Sequence, residues 1–168
     1  MEIVNRVASS SLVTVDLEDY YHQGERVVFD IKDWLFQEMI LKEKDFRAYV
    51  RENDWSQYRG KNVALMCSVD AIIPAWAYML IATKLMEANT VVLGDLQQLE
   101  VSLFQDALNK IDLNALKDAK VVVKGCGDLP VPDAAYVQIT HLLAPFVSSL
   151  MYGEPCSTVP VYKAPKKK

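Results

Sequence analysis

The strongest constraint in this 168-residue chain is an alternation that begins at residue 62. Three short apolar runs, at 63–67, 90–93 and 121–124, are each followed by a longer stretch with helical spacing. The helices expected are 73–87, 95–110 and 132–152. A run that is apolar throughout suits a strand covered on both faces. Strand–helix alternation favours parallel strands joined by right-handed crossovers. The expected fold is therefore α/β, a mostly parallel three-layer βαβαβα sheet over 62–152. Pro74 suits a first helical turn, where its missing N–H is no loss. Pro145, inside the last helix, should kink it.

The first 61 residues are mixed. Residues 11–17 alternate and are β-branched, and 25–30 form a second short run with Gly24 before it. The two are expected to pair as a hairpin. A helical stretch carrying Ile31, Trp34, Leu35 and Met39 follows, with Asp30 as its cap. A second helix is expected over 43–53, where Glu43 and Arg47 can pair at i,i+4. The organisation expected is one α/β domain over 1–168. Residues 1–61 extend its sheet, 62–152 form the core, and 153–168, stiffened by Pro155 and Pro160, form a tail.

Composition agrees with a soluble globular domain. Half the chain is apolar (51%) and a quarter charged (24%), which excludes general disorder. Eighteen Lys and Arg stand against 22 Asp and Glu. Lys163, Lys166, Lys167 and Lys168 crowd the last six residues, so the body is more acidic than the net charge of −4 states. An acidic body argues against nucleic-acid binding, which needs clustered cations. The terminal lysines read as a solubilising end. The uncharged stretch 71–83 falls short of the roughly 20 residues of a membrane span. The segment from Met1 to Arg6 has no leader pattern, so a cytosolic protein with reduced thiols is expected.

Chemistry is sought first at the three cysteines, too few and too odd in number for a disulfide framework. In one parallel sheet, Cys67 would end the first central strand and Cys126 would follow the third. Both would then lie at the carboxyl edge, where open α/β sheets bind ligands. Cys126 stands between Gly125 and Gly127, which leave room for close approach. Lys124 and a helix start at Pro132 are features of the kind that activate a thiol. Asp70 can accept a proton or cap the helix after it; capping is the commoner role. The candidate ligand-binding residues are thus Cys126, Cys67, Asp70 and Lys124. A metal site would draw on Cys67, Cys126 and Cys156. Cys67 also suits the core, and Cys156 should emerge at the opposite edge unless the tail doubles back or a second subunit supplies it. No C-x-x-C pair is present, so a local four-ligand zinc site is disfavoured, though His141 or His22 could complete a looser one. His141 stands off the apolar stripe of the last helix, and His22 lies in a loop of aromatic and acidic residues. No G-x-G-x-x-G, P-loop or G-x-S-x-G pattern occurs.

Five segments resemble one family over nearly the whole chain. They are Val15-Asp16-Leu17-Glu18-Asp19, the run 25–35, Asp54-Trp55-Ser56-Gln57-Tyr58, Lys124-Gly125-Cys126 and the run 152–163. The family comprises bacterial proteins grouped as domain of unknown function 2480. The resemblance implies a bacterial cytosolic protein, brings no activity or catalytic residues, and implies a sulfur or metal role for the cysteines with a protein partner in iron–sulfur metabolism.

Three functions are compatible with these residues. The first is a thiol protein that uses Cys126, with Cys67 and Cys156, to hold a metal ion, an iron–sulfur cluster or a persulfide. The second is a non-enzymatic homodimer burying the apolar helix 73–87. The third is an enzyme binding a small anion at the helix N-termini near Asp70 and Pro132.

Overall fold

The β-branched runs form strands where the sequence places them, but they enter two sheets rather than one. A computed structural model describes residues 5–6, 12–154 and 156–167. Met1, Ser11, Pro155 and Lys168, all used above, lie outside the described residues. The elements are β1 (Asn5–Arg6), β2 (Leu12–Asp16), β3 (Arg26–Asp30), α1 (Glu43–Glu52), β4 (Asn62–Met66), α2 (Ala75–Lys84), β5 (Thr90–Leu93), α3 (Leu96–Leu108), β6 (Lys120–Lys124), α4 (Asp133–Leu143), β7 (Ser149–Glu154) and β8 (Ser157–Lys163). The fold is mixed α/β and largely parallel. The chain divides into two compact units. The first unit comprises 1–22 and 103–168, and the inserted unit comprises 23–102.

In the first unit the strand order is β1-β2-β6-β7-β8. The three central strands are parallel, with Val13 beside Val121 and Val121 beside Leu150. β1 and β8 close the edges antiparallel. The expected hairpin does not form: β2 pairs with β6, and β3 pairs with β4. A lone hairpin is marginal in water, whereas β2 buries Val13 and Val15 completely or nearly so inside a larger sheet. These valines pack with Val121, Val123 and Leu150 against Ile139 and Leu143 of α4 and Phe104 and Leu108 of α3. The Gln138 side-chain amide donates to the Gln105 carbonyl (3.0 Å) and to Asn109 Oδ1 (3.2 Å), so α4 lies alongside the end of α3 in one layer.

The last helix stops at Leu143 instead of kinking and running to residue 152. Pro145 has no N–H with which to continue the ladder, and the chain returns as β7, hydrogen-bonded on both sides. The expected tail doubles back as β8. Pro160 suits that edge strand, where a missing donor is tolerated.

The inserted unit holds the second sheet, β3-β4-β5, all parallel, with Val27 beside Val63 and Val63 beside Val91. The runs 63–67 and 90–93 therefore share a sheet, and 121–124 belongs to the other, so the expected βαβαβα sheet is not formed. The physical reason is a second core. Phe29, Phe46, Val63, Leu65, Ile81 and Leu85 are buried together, and the Phe29 ring stacks on Trp55 at 5.5 Å and meets Trp34 edge-on at 5.0 Å. The helix expected from residue 31 is only a single 3-10 turn, Ile31–Trp34, capped by Asp30, whose carboxylate accepts from the Lys32 N–H at 2.9 Å. Gln37 and Glu38 take left-handed backbone (φ 52° and 56°) and reverse the chain there. α1 keeps the expected Glu43–Arg47 pair, at 3.1 Å. α2 buries Ala77 and Ile81 but leaves Met79 at 67% exposure, so it is not covered all round.

Candidate functional site

Because β2, β6 and β7 are parallel neighbours, the residues that follow them gather at one edge of the first unit's sheet. Asp16 ends β2 and Glu18 follows it, Gly125-Cys126-Gly127 follows β6, and Tyr152 and Glu154 lie at the end of β7. A cleft of about 630 Å³ opens there, lined by Cys126, Leu129, Asp133, Tyr136, Met151 and Tyr152 among others. The Cys126 thiol is exposed. Its Sγ lies 2.8 Å from the Tyr152 hydroxyl and 3.9 Å from that of Tyr136. The two phenol rings meet edge to face, 5.7 Å apart.

The glycines flanking Cys126 have steric reasons. A Cβ at Gly125 would lie 2.5 Å from the Tyr136 hydroxyl and 3.2 Å from Leu17 Cβ. A Cβ at Gly127 would collide with the Glu18 carboxylate, whose Oε1 accepts from the Leu129 N–H at 2.8 Å. The close approach that the sequence suggests for a ligand is made by the protein's own side chains.

Electrostatics keep the phenols protonated. Burial raises the Tyr136 pKa far above the ordinary tyrosine range; hydrogen bonding to Cys126 and the charges of Cys126, Tyr152 and Asp133 raise it further. Tyr152 is raised chiefly by its hydrogen bond to Cys126, then by that sulfur's charge, with burial and Asp133 adding to it. Burial, and then the neighbouring Asp16 charge, also raise Asp19, while Lys124 opposes them. The Lys124 ammonium pairs with Asp16 at 3.6 Å and Glu154 at 3.7 Å.

The other sequence candidates fall elsewhere. Cys67 is in the inserted unit, just past β4, half-buried, with its thiol donating to the Val69 carbonyl at 3.4 Å. It therefore does not share a sheet edge with Cys126. Asp70 is exposed and does not cap α2, which starts at Ala75 behind Pro74 with no side-chain cap. Cys156 is exposed in the turn between β7 and β8. It therefore follows the carboxyl end of β7 and not the opposite edge, because the chain re-enters the sheet in parallel after α4. Among the described residues no three His, Cys, Asp or Glu side chains are grouped as a metal ion requires, so Cys67, Cys126 and Cys156 are not gathered into one ligand set. His141 is exposed on α4, and His22 is half-buried after β2. Sequence reasoning missed Tyr136, Tyr152, Glu18 and Asp133. The one signal for Tyr152 and Glu18 is that both fall in the segments carrying the family resemblance.

Fold and site together define a mixed α/β protein with an open thiol between two phenols at the carboxyl edge of a parallel sheet. The chain belongs to the family described as protein of unknown function DUF2480, whose model matches residues 1–164. No curated protein and no solved structure matches it. No helix among the described residues is long and apolar enough to cross a membrane.

Proposed function

We propose that the protein handles sulfur at Cys126, accepting it as a persulfide and passing it on. The observation that carries this reading is the exposed thiol held 2.8 Å from the Tyr152 hydroxyl in an open cleft. The thiolate is the nucleophile in such exchange. Cys126 sulfur attacks the outer sulfur of a donor R–S–SH; a new S–S bond forms, the old one breaks, and R–S⁻ leaves and takes up the proton that Cys126 gave up. Cysteine plus donor persulfide become cysteine persulfide plus R–SH, with no external oxidant. Tyr152 and Tyr136, kept protonated, donate hydrogen bonds to the anionic sulfur. The metal and cluster alternatives need more ligands than the described residues supply around Cys126. The reading fits a bacterial cytosolic protein, where thiols stay reduced. The partner this chemistry calls for is a sulfur donor or acceptor protein, and the family resemblance points to one in iron–sulfur metabolism.

Treatment with a small alkyl persulfide, followed by thiol tagging and peptide mass spectrometry, tests it. Persulfide is expected at Cys126, lost in Cys126→Ser and reduced in Tyr152→Phe. Equal persulfidation of all three cysteines, or labelling confined to Cys156, overturns it. A second reading, a homodimer through α2, is favoured by the exposure of Ile72 (93%), Met79 (67%) and Met86 (83%) on or beside that helix. Sedimentation as a stable monomer would contradict it.

A further inference from the structure

We infer that the Cys126 cleft takes uncharged or cationic sulfur compounds with an apolar body and turns away polyanionic thiols. This names a substrate class for the sulfur-handling reading and rests on it. The walls are mostly apolar, from Leu129, Val131, Val137 and Met151, and among the described residues no Lys or Arg lines the cleft. Among the described residues, the one charged residue lining it is Asp133, in the first turn of α4. Asp133 is close enough to act electrostatically on both phenols beside the thiol. Behind Gly127 stands a second carboxylate, Glu18.

Two positive features could offset these carboxylates. Lys124 is the nearest cation in sequence, but its ammonium already faces both Asp16 and Glu154. The N-terminus of α4 presents a positive dipole end, and Asp133 in its first turn answers that partial charge. An anion entering the cleft therefore meets the Asp133 carboxylate with no Lys or Arg among the described residues lining the cleft, and an amine or a neutral group does not suffer that repulsion. In water a unit charge about 6 Å from a carboxylate changes a rate about threefold by Coulomb's law. The effect shrinks as salt screens it.

The test compares alkylation of Cys126 in the full wild-type chain by neutral iodoacetamide and anionic iodoacetate, resolved by peptide mass spectrometry. A free cysteine amide corrects for the reagents' own reactivities. A second pair, cystamine and dithiodiglycolate, reads the same selectivity through disulfide exchange. The corrected preference for neutral and cationic reagents is expected to exceed that of the free thiol about threefold or more. High salt should narrow it, and Asp133→Asn should cut it about threefold. A preference equal to the free thiol's, or one untouched by Asp133→Asn, overturns the inference while leaving the persulfide reading standing. Failure of iodoacetamide to modify Cys126 overturns both.

Discussion

Replacing Gly125 with Ala tests whether the thiol site is packed as tightly as the distances indicate. The new Cβ would lie 2.5 Å from the Tyr136 hydroxyl, where ordinary contact begins at 3.4 Å, so the phenol must retreat by about 0.9 Å. Leu17 Cβ, at 3.2 Å, blocks the other side. Overpacking of this kind costs about 1–3 kcal/mol. Gly125 is not among the glycines with positive φ, so alanine there also restricts the unfolded chain and returns about 0.4–1 kcal/mol. At the middle of these ranges the net loss expected is about 1.3 kcal/mol, or a fall of about 0.4–1.3 M in the urea midpoint. Trp34, Trp55 and Trp76 all lie in the inserted unit, so tryptophan emission reports that unit. Amide exchange of peptides covering β6 reports the first, and the two are followed in parallel. Tyr136→Phe removes the atom that clashes, so the Gly125→Ala, Tyr136→Phe double variant should recover at least about 0.5 kcal/mol relative to additivity. A Gly125→Ala protein as stable as wild type, or one whose loss is the same with Phe at 136, would refute the packing.

Three further predictions follow from charge. In Cys126→Ala the phenols of Tyr136 and Tyr152 should ionise at lower pH than in wild type, because the hydrogen bonding and charge of the Cys126 sulfur, which raise both phenols, are gone; ultraviolet absorbance of phenolate measures this, and an unchanged titration contradicts the site. Since the folded state holds the Tyr136 proton above the ordinary value of 10.0, its contribution to stability is fully present below about pH 10. It is lost as pH rises through the folded value, so Tyr136→Phe should flatten the alkaline decline seen in urea midpoints. In the inserted unit, Arg26 donates to both Glu100 oxygens, at 3.0 and 2.8 Å, and both side chains are largely buried. Arg26→Ala should cost about 2–3 kcal/mol, below the 3–5 kcal/mol of a fully buried pair left half-empty. Tryptophan emission during urea unfolding reads it, and a loss under about 0.5 kcal/mol would place the pair among ordinary surface contacts.

What could be seen in the sequence was local. Apolar or β-branched runs announced β2, β3, β4, β5 and β6, and periodicity announced α1, α2 and α3, because those signals depend on a few neighbouring residues. Partner choice was not legible. Nothing in 121–124 says that its neighbour is 12–16 and not 90–93, since all these runs are equally apolar and β-branched. β7 was hidden for another reason. Leu143, Phe146, Val147 and Leu150 continue the apolar spacing of α4 past its real end, and only Pro145 hinted at a stop. The 3-10 turn at 31–34 was misjudged because the two left-handed residues after it, Gln37 and Glu38, are not types that favour that backbone.

The site divides along the same line. Cys126 between two glycines was conspicuous, and its place at the carboxyl edge of a strand was inferred correctly even though the sheet was not. Tyr152 was invisible because its role depends on strand register, which sets Val123 beside Tyr152 and Val121 beside Leu150. Leu150 and Tyr152 are two residues apart in β7 and so face the same side of the sheet. Leu150 is buried in the core formed with α4, at 1% exposure, and α4 carries Tyr136. A slip of one residue would turn Leu150 out of that core and Tyr152 away from the sulfur together. The hydrophobic contact that secures β7 is thus also what aims the phenol at Cys126. Enlarging or polarising Leu150 should therefore disturb the thiol's surroundings as surely as a change at Tyr152 itself.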